Sequence, residues 1–208
     1  MKLFTRRGAA LSVHILLREI GRPFELKLIG QADRNGGRQQ PGLPILVLVN
    51  GEQLTEPMVI AQFACDAAFR IDLMPGPRTL ARYRVMEWQG VAAELKTLLW
   101  RTDMATPASV IARIVDRLHH IEARMDGPYL TGETFTAADA ACFDAASRLP
   151  DVGIDLAAFP RIKAYLKRIA QRPSVVSAIR FEQSAALAAT EAPHNYRQLG
   201  PKICAASL

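Results

Sequence analysis

The spacing of apolar residues changes character part-way along the chain, from short alternating runs to long helical ones. Lys2-Leu3-Phe4-Thr5 has the make-up of a strand. Between residues 11 and 20, Leu11, Ile15, Leu16 and Ile20 recur at the spacing of one helical face, and Gly21 follows as a residue suited to ending that helix. Phe24-Glu25-Leu26-Lys27-Leu28-Ile29 alternates apolar and polar, which predicts a second strand, parallel to the first if the helix is its crossover. Residues 30–42 are polar and glycine-rich without periodicity and predict a loop. Ile45-Leu46-Val47-Leu48-Val49 reads as a strand, Asn50-Gly51 as a tight hairpin turn and Gln53-Leu54-Thr55 as the returning strand. Pro57 suits the first turn of a helix, where its missing N–H costs nothing, and that helix is expected to run to Phe69. Residues 1–72 therefore predict a β-α-β-loop-β-β-α domain.

Leu73-Met74-Pro75-Gly76-Pro77 interrupts regular structure and predicts a linker over residues 73–78. Residues 79–101 and 107–125 are then rich in Ala, Leu, Arg and Glu at helical spacing. Thr136-Ala137-Ala138-Asp139 has the Thr-x-x-Asp pattern of a variant capping box ahead of an Ala-rich run to Leu149. Further helices are expected over 159–171 and 174–187, with Pro173 opening the second. An all-helical domain over 79–187 follows, and residues 188–208 read as an irregular tail.

Composition narrows the class. The 208 residues are half hydrophobic and 22% charged, the balance of a soluble globular protein with a sizeable core. No apolar run approaches the roughly 18 residues of a membrane span. The start shows no signal-peptide pattern, so no membrane association and a cytoplasmic location are the expectation. Cys65, Cys142 and Cys204 lie far apart without metal-binding spacing, so no metal is expected and the thiols read as reduced. A formal charge of +6 favours acidic partners, but the basic residues are dispersed and no nucleic-acid motif accompanies them, so no nucleic-acid partner is expected.

Several local motifs, in order, resemble one family. They are Met1-Lys2-Leu3-Phe4 with Gly8-Ala9, His14 through Gly21, Phe24-Glu25-Leu26, Leu43-Pro44, and Leu54-Thr55-Glu56 with Val59-Ile60-Ala61-Gln62-Phe63. Behind the linker come Arg82-Tyr83, Glu87-Trp88, Phe135-Thr136-Ala137-Ala138-Asp139-Ala140 and Arg172-Pro173. Together they resemble the glutathione transferases, most closely the bacterial beta class, as far as about residue 187. The resemblance implies an α+β thioredoxin-like N-terminal domain followed by an all-α C-terminal bundle. It also implies a homodimer, and glutathione or a related thiol conjugated to a hydrophobic electrophile, with no tightly bound cofactor; the alternative is a non-catalytic ligand-binding or protein-interaction protein on the same fold.

Such chemistry lowers the pKa of a thiol so that a thiolate forms at neutral pH and attacks an electrophile, which requires a hydroxyl, thiol or cation facing the sulfur. The beta class resembles Gly-Ala-Cys-Ser-Leu-x-x-His just after the first strand, usually with a tyrosine before it. This chain reads Gly8-Ala9-Ala10-Leu11-Ser12-Val13-His14, one residue shorter. Counted from Gly8 the cysteine position falls on Ala10; counted back from His14 it falls on Ala9, and in either register the thiol is gone. Thr5 stands where the tyrosine is usual, with a hydroxyl far less acidic than a phenol. Thr5, Ser12 and Arg6 are thus the candidate catalytic groups, with Arg7 beside them. Local hydrogen bonding in the first helical turn is the rival role for Ser12, and a solvated loop the rival for the arginines. His14 reads as a packed or surface histidine.

By the same resemblance Leu43, Pro44, Glu56 and Pro57 form the glutathione-binding set. Pro44 is expected in the cis form that exposes the backbone before it. Glu56-Pro57 matches an acidic residue followed by a serine that holds the γ-glutamyl carboxylate, and proline supplies neither the hydroxyl nor the N–H. Loss of one charge-assisted bond, about 1.5–3 kcal/mol, predicts affinity weakened roughly ten- to a hundredfold. The loop over 30–42 replaces a helix that carries further glutathione contacts. Trp88, Trp100, Tyr83 and Phe143 read as core or interface packing, Lys96 and Arg101 as a solvated face ahead of the rival reading that they border a substrate cleft, and Thr136 with Asp139 as folding determinants.

Overall fold

The computed structural model describes residues 1–5, 9–28, 44–100, 102 and 107–189. Four strands, β1 (Lys2–Thr5), β2 (Glu25–Leu28), β3 (Ile45–Val47) and β4 (Gln53–Leu54), form one sheet in the order β2-β1-β3-β4. β1 runs parallel to β2 with Leu3 opposite Leu26, and antiparallel to β3 with Leu3 opposite Leu46. Helix α1 (Leu11–Ile20) is the crossover between β1 and β2, and α2 (Pro57–Ala67) follows β4. The rear holds α3 (Leu80–Trp100), α4 (Ala108–Arg124), α5 (Ala137–Ala146), α6 (Pro160–Ala170) and α7 (Pro173–Ala189).

The Asn50-Gly51 turn forms, with Gly51 at φ 88°, a conformation that favours glycine. The strands stop earlier than their apolar run, because Val49 already projects into solvent. Helix α5 ends at Ala146 and gives way to a 3₁₀ turn over Leu149–Val152. Pro150 lacks the N–H that a continuing helix would need.

α1 is buried almost all round. Ala10, Val13 and Leu17 pack with Leu3, Leu46, Ile60 and Ala64 beneath the sheet, while Leu11, Ile15 and Leu16 join the core built by α3 to α7. Its position between two layers explains why more of it is buried than a single apolar stripe predicts. The segment after α2 is also tied down. Leu73 and Met74 are buried, and the Leu73 carbonyl accepts from Ala137 N–H at 2.8 Å. Arg82 makes paired bonds to Asp66 of 2.9 and 2.7 Å and a third to the Pro75 carbonyl at 3.0 Å.

The Thr-x-x-Asp pattern does form a capping box at α5. Asp139 accepts from Thr136 N–H at 2.7 Å, Thr136 Oγ1 at 3.1 Å and Leu130 N–H at 3.0 Å. Burial pushes its carboxyl pKa up, and those three bonds pull against the shift.

Candidate functional site

The N-termini of α1 and α2 meet one face each of α3 and α5 around a cleft of about 130 Å3. Ala137, Ala141 and Asp144 line it from α5, and Gln89, Ala93 and Lys96 from α3, each set spaced for one helical face. Val13, Leu16, Met58 and Ala61 make the rest of the wall apolar. Ser12, Glu56 and Pro57 border it from the front of the chain.

One carboxylate organises the polar end. Asp144 Oδ2 accepts from Ser12 N–H at 3.0 Å and from the Lys96 ammonium at 2.8 Å, and the same ammonium donates to the Ala9 carbonyl at 2.8 Å. α1 needs this help: Ala10 is its N-cap and provides no side-chain bond, so the first N–H groups look outside the helix for an acceptor. The carboxylate also complements the positive end of the helix dipole. Asp144 is 2% exposed and Lys96 22%, so the carboxylate lies behind and the ammonium in front. Removing Lys96 alone strands a buried charge, a change that typically costs about 3–5 kcal/mol. Gln89, also buried, has an Oε1 without a hydrogen-bond partner among the described residues.

The predicted site residues divide sharply. Ser12, Glu56 and Pro57 come together at the cleft. Glu56 is the N-cap of α2, exposed and without a side-chain cap bond, and Pro57 is the first residue of that helix. Pro44 is buried at the start of β3. Thr5 is fully buried at the end of β1 and is not among the residues lining the cleft. Arg6, Arg7, Leu43, Arg101 and the loop over 30–42 lie outside the described residues. Of the two readings of Lys96, the cleft border holds and the solvated face does not, because Asp144 draws the ammonium into the cleft.

His14 is packed rather than on the surface, fully buried with a carboxylate neighbour. Its Nδ1 lies 3.5 Å from Glu182 Oε1, while Nε2 accepts from Arg18 Nε at 2.8 Å. Phe24 and Phe181 close on the ring edge-to-face. Two residues beyond Ser12 is about 200° around the helix, so His14 clamps α1 to α7 away from the cleft. Cys65 and Cys142 do not replace the missing thiol: burial pushes both up to about 12, leaving almost no thiolate at neutral pH. Among the described residues no cluster of His, Cys, Asp and Glu is placed to hold a metal, and no helix is long and apolar enough to cross a membrane.

The Asp144 arrangement escapes sequence reasoning because its partners are 48 and 132 residues away. A charged residue inside the run Cys142-Phe143-Asp144-Ala145-Ala146 is the one available signal.

A family profile described as the glutathione S-transferase C-terminal domain matches residues 107–173. Glutathione S-transferase GstA of Escherichia coli O157:H7 is 33% identical over 200 residues, covering 88% of this chain and 98% of that protein. The chain belongs to the glutathione S-transferase family. Solved structures agree on the fold of this family member. BphK, a bacterial glutathione transferase in a ternary complex, superimposes with a TM-score of 0.78 at 29% identity, over 88% of this chain and 100% of its own. A sphingomonad glutathione S-transferase complexed with glutathione gives 0.76 at 31% identity, over 88% and 99%. The beta-class enzyme of Sphingomonas chungbukensis gives 0.76 at 30%, over 88% and 98%. The four-stranded front is accordingly thioredoxin-like, and the rear is the helical part of the same fold.

Proposed function

We propose that this transferase-family chain binds glutathione across the N-termini of α1 and α2 and conjugates it, with weakened activity, to a small hydrophobic electrophile. The observation that carries the reading is the cleft itself. Two helix N-termini, favourable to anions, open onto an apolar chamber floored by α3 and α5. In the reaction the thiol loses its proton to water, and the sulfur pair forms a C–S bond. The leaving group departs with its own electron pair. The apolar wall of Val13, Leu16, Met58, Ala61 and Ala141 suits a hydrophobic electrophile. Ala10, Ala9 and Pro57 offer neither a thiol nor a hydroxyl, which is the reason to expect low turnover.

We further propose a homodimer acting in the cytoplasm as a detoxifying enzyme. Phe69, Ile71, Leu80 and Tyr83 are all more than half exposed around the α2–α3 junction. Phe69 does this at φ 55°, a costly conformation for an aromatic residue. An apolar patch of this kind suits a second copy. Sedimentation at micromolar concentration tests it: a dimer supports the surface, and a monomer removes it.

A second reading, a ligand-binding protein without chemistry, draws on Asp144, whose carboxylate already accepts the Ser12 N–H at the start of α1. Retention on glutathione-agarose followed by turnover with a general aromatic electrophile separates the two. Retention with turnover supports the enzyme, retention without turnover supports the binding protein, and no retention defeats the glutathione reading in both forms.

A further inference from the structure

We infer that Lys96 takes the place of the missing cysteine as the group that holds the glutathione sulfur as a thiolate, with Asp144 as the residue that positions it. The inference rests on the glutathione reading and assigns the group on which that reading depends. Four observations converge on it. Lys96 reaches across from α3 to the Ala9 carbonyl, the very stretch, Ala9-Ala10, where the resemblance places the absent thiol. It lines the cleft beside Ser12, Glu56 and Pro57, the predicted site residues that the fold brings together. It lies on the solvent side of its ion pair, with Asp144 almost wholly enclosed behind it. And among the described residues its ammonium spends two of three N–H donors, on Ala9 and Asp144, which leaves one for a sulfur.

The carboxylate behind does not cancel the charge in front. Asp144 Oδ2 is shared with Ser12 N–H, so part of its negative charge answers the positive end of α1. Glu56 also lines the cleft, so what favours the ionised thiol is not the net charge of the mouth but the ammonium bonded at the Ala9 carbonyl, on the solvent side of its ion pair. Lys96 acts by its charge alone. It lowers the pKa of the bound thiol by attraction and transfers nothing, and the thiol proton passes to water. A cation thus takes a task for which the beta class uses a thiol. The ammonium is held for that task by its 2.8 Å ion pair with Asp144.

The test uses the full-length protein with bound glutathione and reads the ultraviolet absorbance of the thiolate against pH, together with kcat and KM for a general aromatic electrophile. Lys96→Gln is expected to raise the bound thiol's pKa by about one unit, equivalent to tenfold less thiolate at neutral pH. kcat should fall by a similar factor, and KM for glutathione should change much less. Lys96→Arg is expected to keep most of the pKa depression, which a purely structural role would not require. Because Lys96→Gln strands the Asp144 charge, the double variant Lys96→Gln with Asp144→Asn is measured beside it. That variant removes both charges and keeps hydrogen-bonding groups, and it is expected to show the same raised thiol pKa. An unchanged thiol pKa in the double variant overturns the inference, as does a shift seen with Arg6→Gln and absent with Lys96→Gln. Failure of the unsubstituted protein to bind glutathione defeats the functional reading instead, a distinct result.

Discussion

Pro57→Ser restores a donor at the position where the family resemblance expects one. Glu56 is the N-cap of α2 and makes no side-chain cap bond, and Pro57 opens the helix at the edge of the cleft. Serine there adds a hydroxyl and a backbone N–H, both at the positive end of the helix dipole. One charge-assisted hydrogen bond to the γ-glutamyl carboxylate contributes about 1.5–3 kcal/mol. At roughly 1.4 kcal/mol per tenfold, affinity for glutathione should rise about ten- to a hundredfold. Stability should move the other way, falling by about 0.4–1 kcal/mol, because serine frees the unfolded chain that proline restrains. Calorimetric titration with glutathione, compared with cysteinylglycine, checks the assignment. The gain should appear with the tripeptide and vanish with the dipeptide, which lacks the γ-glutamyl group. Unchanged glutathione affinity, or an equal gain with cysteinylglycine, would refute the reasoning.

Asp139→Ala leaves the buried N–H groups of Thr136 and Leu130 without acceptors. At about 1–3 kcal/mol for each stranded group, a loss of roughly 2–6 kcal/mol is expected in urea unfolding. Burial raises the Glu19 pKa, but bonds from Arg172 and Ser174 outweigh it and hold the folded value below the ordinary 4.5. Its stabilisation is therefore complete above that pH and is lost as pH falls through the depressed folded value. The stability difference between the protein and Glu19→Gln should be flat above pH 4.5 and shrink below it, as followed by thermal melts across acid pH. Cys65 and Cys142, with thiols pushed up to about 12, should resist iodoacetamide in the native protein and react once it is unfolded, as read by peptide mass spectrometry.

Local patterns carried most of the fold. The βαβ unit, the Asn50-Gly51 turn, Pro57 at the head of α2 and the Thr136–Asp139 box all depend on residues close in sequence, where spacing and backbone chemistry are sufficient. The site was less legible. Ser12, Glu56 and Pro57 were found through a motif, but the Ser12–Asp144–Lys96 cluster exists only once α5 and α3 close over the start of α1. His14 shows the same limit: its partner Glu182 comes from α7, and no spacing within α1 announces it. α1 itself displays one apolar stripe because a period counts one face, whereas its second buried face is created by the layer above.

Glutathione binding by the full-length, unsubstituted protein tests the central claim most directly. Isothermal calorimetry at neutral pH should give saturable heat with a Kd between about 10 μM and 1 mM, about 4–7 kcal/mol of binding free energy. No saturable heat up to about 10 mM glutathione, where even the weakest site of this kind fills, would contradict it.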